Sequence, residues 1–150
     1  MKRILAVVRS PEVDLELLEE AGAMGAAAGV EVVVVVLINE DEPEESIEEF
    51  QNWDGFDDVR MSYPADTAIR FAEHLGKEVL APLGTDYLTV GERVESTQPS
   101  EKVIDIARNH DCDHIYIGNG GRSPARKALF GNTAQSVILN FEGFVTVQTV

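Results

Sequence analysis

The segment GNGGRSPARKALFGN, Gly118 to Asn132, concentrates the residues of this chain that could do chemistry. Glycines at 118, 120, 121 and 131 allow positive φ and close approach of the backbone to a ligand. Arg122, Arg126 and Lys127 put positive charge there, in a chain with a formal net charge of −15. These are the ingredients of a phosphate cradle. Backbone N–H groups and a helix N-terminus would face the anion, and Arg122 could fork onto a phosphate. The alternative is a tight turn that ends a strand and starts a helix, with its basic side chains in solvent.

Two common phosphate templates do not fit. A Walker A loop needs Gly-Lys-Ser/Thr, but Lys127 follows Arg126 and Ala128 stands at the hydroxyl position. The dinucleotide pattern G-x-G-x-x-G/A is met only in part, by Gly118 and Gly120 with Ser123 at the third place, and too little chain follows for a second mononucleotide half. Elsewhere the candidates thin out. HDCDH, His110 to His114, resembles a metal site, but successive residues of a strand point to opposite faces, so a turn entering a strand is the simpler reading. Cys112 is flanked by Asp111 and Asp113, which would raise its pKa and blunt it as a nucleophile. There is no CxxC pair and no HExxH. Ser10 lacks a nucleophile-elbow setting. No catalytic residue and no metal ligand is assigned.

The elements that must position the loop follow from periodicity. Lys2–Arg9 reads as a short aliphatic strand. Ser10 is placed to cap a helix with Pro11 at its first position, and Gly29 ends it. Leu17, Leu18, Ala21, Gly25 and Ala28 share a face whose small residues would let the helix approach a sheet closely. Val30–Ile38 is almost wholly apolar and β-branched, as a strand covered on both faces should be. Asn39–Pro64 is a long acidic connection, with Phe50, Trp53 and Phe56 able to fold over a cleft. A helix is expected over Ala65–Leu80 and a strand over Tyr87–Val94, with a bulge at Gly91. A further helix spans TQPSEKVIDIARNH, followed by a strand at Cys112–Gly118, a helix at Thr133–Leu139 and a strand at Gly143–Val150.

Alternating strands and helices imply an α/β fold: a five-stranded parallel open sheet with helices on both faces, Rossmann-like, in one domain over 1–150. A ligand is then expected off the carboxyl ends of the strands, where strand order reverses. Gly118 lies at such an end, and Arg9, at the end of the first strand, should be its neighbour.

With those elements in place, the spacing of Gly118, Gly121 and Gly131 resembles the G-2x-G-9x-G-S/T loop of the universal stress protein family. The likeness runs the length of the chain, through ILAVV, VIDIARNHDCDHIYIGNGGRS and LFGNTAQSVI. It implies the adenine nucleotide alpha hydrolase-like form of the fold. It also implies that the loop holds the ribose and phosphates of ATP or AMP through Gly118, Gly121, Gly131, Asn132 and Thr133, with Gly120 and Arg122 alongside. The adenine would rest near Arg9 and the strand end at Leu37 and Ile38. A stress-response regulatory module is the implied role, as a homodimer joined through the last strand, with a protein partner that the sequence does not identify. Two positions depart from the nucleotide-binding pattern. Arg9 stands where an Asp is usual, and Asn132 where Ser or Thr is usual. Arg9 could remove nucleotide binding, leaving a dimeric interaction module, or could serve as a charge partner for phosphate without magnesium. An enzyme of the related hydrolase or pyrophosphatase-like group would need an N-terminal Ser-Gly-Gly-x-Asp-Ser loop, which is absent.

Charge narrows the partners. Asp and Glu number 27 against 12 Lys and Arg, so the surface repels nucleic acid and anionic lipid. Acidic residues run along nearly the whole chain and Arg outnumbers Lys, which fits a surface adapted to high salt, as in a halophile. The longest apolar run, Val32 to Ile38, is too short to cross a bilayer. The lone Cys112 agrees with a reducing compartment, so a cytoplasmic location is expected.

Overall fold

The apolar segment EVVVVVLIN forms β2 (Glu31–Asn39) and is buried on both faces. Val32, Val34, Val36 and Ile38 enter one core layer, while Val33, Val35 and Leu37 enter the other. This is what an uninterrupted β-branched run does inside a parallel sheet. The computed structural model describes residues 1–40, 47–48, 50, 67–94, 99–119 and 133–149. Around β2 stand β1 (Arg3–Val8), β3 (Tyr87–Val94), β4 (His114–Gly118) and β5 (Phe144–Gln148). The sheet order is β3-β2-β1-β4-β5 and every pair is parallel. The expected five-stranded open α/β sheet is therefore the fold.

Helices close both faces. On one side lie α1 (Pro11–Ala28) and α2 (Thr67–Leu75), whose Leu17, Leu18, Ala21, Phe71, Ala72 and Leu75 meet the even-numbered valines of β2. On the other lie α3 (Pro99–Asn109) and α4 (133–140), which contribute Val103, Ile104, Ala107, Ala134 and Val137. Small residues do set the helix-to-sheet distance. A Cβ on Gly25 would come within 2.8 Å of the Val32 side chain. Gly29 closes α1 in the left-handed region at φ 69°, with its N–H on the Gly25 carbonyl.

Four expectations are corrected. Gly91 makes no bulge, because the β2–β3 register runs unbroken through Val35↔Val90, Val36↔Gly91 and Leu37↔Glu92. Its lack of a side chain serves packing: a Cβ there would lie 2.1 Å from the Ile69 backbone nitrogen. The helix expected to run to Leu80 loosens after Leu75 into a π turn over Gly76–Leu80 and a 3-10 turn over Ala81–Leu83. Pro82 lacks the N–H that the next α-helical bond would use, and Gly76 sits under the Tyr87 ring, 2.3 Å from where its Cβ would be. Phe50 is no cover for a cleft. It is fully buried and stacks on Phe71 with ring centroids 4.6 Å apart, while Trp53 and Phe56 lie outside the described residues. Finally, Ser10 makes no side-chain capping bond to α1. Among the described residues no helix is long and apolar enough to cross a membrane.

The helix-to-sheet contacts give a direct check. Gly91→Ala should cost about 3 kcal/mol, because backbone must move to admit the methyl group. Gly29→Ala has open space around it and only the left-handed backbone to resist it, so it should cost about 1 kcal/mol. Urea denaturation of both variants measures the difference.

Candidate functional site at the strand-order switch

Strand order fixes where the chain opens. From β1 it passes to β2 on one side, and from β1's other neighbour, β4, it passes outward to β5. The carboxyl ends of β1 and β4 therefore stand side by side where strand order reverses, the place at which a crevice is expected in such sheets. Arg9 is the first residue beyond β1, and Gly118 is the last of β4.

The two ends are bonded across the crevice. Arg9 Nη2 donates to the Gly118 carbonyl at 2.5 Å, and the Arg9 side chain is held in a residue only 5% exposed. The Arg9 backbone N–H donates to Asp14 Oδ2 at 2.8 Å, and the Ser10 N–H reaches the same oxygen at 3.2 Å. Asp14 stands one turn into α1 and is 3% exposed. It reaches back from the first turn of α1 to the two residues that precede the helix. Its negative charge suits that end of the helix dipole. Gly118 must lack a side chain here, since a Cβ would sit 2.9 Å from Asp14 Oδ1.

Two further polar atoms belong to this region. Ser10 Oγ is fully buried and has no hydrogen-bond partner, and neither has Asn119 Oδ1, one residue past Gly118. Buried polar atoms are rarely left so. Asp14 and Asn119 were not singled out from sequence. Asp14 reads there as one of several acids in a first helical turn, and its distinction is burial, which spacing does not reveal.

The other sequence-derived residues divide as follows. Leu37 and Ile38 end β2 just past the Val8↔Val36 pair, next to the point where Arg9 leaves the sheet. Both side chains are core residues, pointing into opposite layers. Thr133 opens α4 and is buried, at 4% exposure. Gly120, Gly121, Arg122, Gly131 and Asn132 lie outside the described residues, as do Arg126 and Lys127. An open groove lined by Arg3, Glu31, Asp86 and Tyr87 is at the amino-terminal ends of β1 to β3, away from the crevice.

HDCDH disperses rather than converges. Asp113 Oδ1 accepts the backbone N–H of Lys2 at 2.9 Å, His110 Nδ1 lies 2.9 Å from the Ile106 carbonyl, and His114 Nε2 lies 2.8 Å from Thr146 Oγ1. Among the described residues no three His, Cys, Asp or Glu side chains gather where they could hold a metal ion. Burial pushes the Cys112 thiol up to about 11, Arg3 opposes this, and Asp113, Asp111 and Glu31 add to it. The flanking acids thus assist an effect that desolvation leads.

The chain is an open parallel α/β sandwich with buried polar groups where β1 and β4 end. A model of the universal stress protein family matches residues 1–147, and the chain belongs to that family. A universal stress protein from Archaeoglobus fulgidus superposes with a TM-score of 0.65 at 23% identity, covering 98% of each chain. A universal stress protein from the same organism in complex with dAMP gives 0.59 at 20%, over 98% of this chain and 97% of that one. A universal stress protein in complex with cAMP gives 0.65 at 12%, over 99% and 96%. No curated protein matches the chain. At these identities the structures speak for the fold they share.

Cys112 offers a check on the burial described. At neutral pH its alkylation by iodoacetamide should be at least about a hundredfold slower than that of an exposed thiol, and should speed up as pH climbs toward 11. Labelling in urea should remove the difference.

Proposed function

We propose that this protein binds an adenine nucleotide, ATP or AMP, in the β1–β4 crevice and acts as a regulatory module in a stress response. The observation that carries the reading is the set of buried polar groups where strand order reverses between β1 and β4. A buried guanidinium reaches across to Gly118, and buried oxygens of Ser10 and Asn119 stand there without hydrogen-bond partners. A ligand rich in donors and acceptors would satisfy them. Family membership supports the reading, as do the relatives solved with dAMP and cAMP. The binding residues would be Arg9, Gly118 and Thr133 with the loop residues Gly120, Gly121, Arg122, Gly131 and Asn132. The strand end at Leu37 and Ile38 would lie near the base. The role is binding, with hydrolysis slow at most.

A second reading rests on the same guanidinium. Arg9 is almost fully buried and already bonded to Gly118, so it could fill the space a nucleotide needs. The chain would then work as a dimeric interaction module. For either reading β5 is the proposed dimer edge: it is the last strand of the sheet, with its first residue Phe144 68% exposed and Leu139 on α4 74% exposed. A single cytoplasmic domain is proposed throughout, with neither nucleic acid nor membrane as partner.

Denaturing the purified protein and chromatographing the supernatant tests the first reading. Released adenine nucleotide is expected, and titration of the stripped protein should show micromolar to millimolar binding that Gly121→Val weakens by about tenfold or more. A chain that carries no nucleotide and binds none at millimolar concentration supports the second. The proposed adaptation to salt has its own check. Tm should rise by roughly 5 °C or more from low to molar KCl, as screening relieves the repulsion of a −15 chain. A flat profile removes that idea.

A further inference from the structure

We propose that Arg9 is a latch across the strand-order switch: bonded to Gly118, it closes the nucleotide site with the chain's own side chains, and a nucleotide enters only after that bond has opened. The inference rests on the nucleotide reading and adds a closed state to it.

The place where a ligand is expected is filled. Arg9, Ser10 and Asp14 are 5%, 0% and 3% exposed, and Gly118 is buried with them. A point one Cβ out from Gly118 lies 2.9 Å from Asp14 Oδ1 and 4.0 Å from Arg9 Nη2. Carboxylate and guanidinium thus stand together over the end of β4. Each offsets the charge of the other, which lets both be buried. The β1–β4 register runs from Ile4↔His114 to Ala6↔Tyr116 and stops there. Past that point the bond from Arg9 Nη2 to the Gly118 carbonyl joins the two strand ends.

The closed arrangement is also one that can open. Ser10 Oγ is fully buried without a hydrogen-bond partner, and so is Asn119 Oδ1, next to Gly118. Closure leaves both unsatisfied, and opening gives them water or ligand. The backbone beneath need not move. Asp14 Oδ2 holds the N–H groups of Arg9 and Ser10, so the turn keeps its shape while the Arg9 side chain changes rotamer. A ligand that binds only the open state is slowed and weakened by the fraction of molecules that are open.

Stopped-flow binding of ethenoadenosine triphosphate, a fluorescent ATP analogue, compares the full chain with a variant carrying both Arg9→Ala and Asp14→Asn. The two changes remove the latch and its offsetting charge together, and the Asn side-chain oxygen still accepts the two N–H groups. The association rate constant should be at least about tenfold higher in the variant, because none of its molecules are latched. In the unaltered chain, NMR should find the Arg9 guanidinium protons slow to exchange with solvent, and faster once AMP saturates the site. If both chains associate at one rate, and the Arg9 protons stay as protected with AMP as without it, the inference is overturned while the nucleotide reading stands. If only the variant binds, the latch holds the unaltered chain shut and the interaction-module reading applies to it. If neither binds, both fall. The exchange measurement decides even where the variant fails to fold.

Discussion

One buried carboxylate holds the turn from β1 into α1 together. Asp14 Oδ2 takes the backbone N–H groups of both residues that leave β1, and so fixes the turn into α1. Burying a carboxylate costs several kcal/mol of lost hydration. Two charge-assisted bonds of about 1.5–3 kcal/mol each, and the favourable end of an eighteen-residue helix, offset much of that cost. Pro11 helps by carrying no N–H of its own at the first helical position. The direction of the Arg9 side chain follows from this turn, and the Gly118 carbonyl receives it on the far side of the crevice. Glycine at 118 is then a necessity, because any side chain would strike the Asp14 carboxylate.

Such a turn is only as exact as the sheet beneath it. Every residue from Ile4 to Val8 is fully buried, and β1 is paired on both sides, to β2 over Arg3–Val8 and to β4 over Ile4–Ala6. A slip of one residue would turn the valines of β2 into the wrong core layer, so the register is held by packing on two faces at once. Close helix approach at Gly25 and Gly91 removes slack from the α1 and α2 side. The strand ends at Val8 and Gly118 are thereby kept at one separation, and a 2.5 Å bond can span them.

What sequence makes legible here is mostly what periodicity and spacing encode. Strand-helix alternation, the doubly covered β2 and the capping Gly29 all follow from local patterns, and the switch point follows from topology. What escaped depends on contacts between distant segments. Gly91 looks like a bulge in a strand, yet its reason is the backbone of α2, more than twenty residues earlier. Phe50 sits in an acidic stretch that reads as a cover, but stacking on Phe71 draws it into the core. Ser10 has the right type for a cap but makes no capping bond, and the side-chain bonds at this turn run instead from Asp14 back to the Arg9 and Ser10 N–H groups. Cys112 was expected to be restrained by its acidic neighbours, while burial turns out to be the larger cause.

Global and local charge pull in opposite directions in this protein. A net charge of −15 surrounds the crevice with a field that disfavours any phosphate-bearing ligand at long range. That field decays within about 8 Å at physiological ionic strength, and faster in concentrated salt. A guanidinium buried at the crevice floor is screened far less, because protein rather than solvent surrounds it. Salt should therefore weaken the repulsion more than the attraction. An acidic surface and the proposed anion site are compatible for this reason, and rising ionic strength makes them more so.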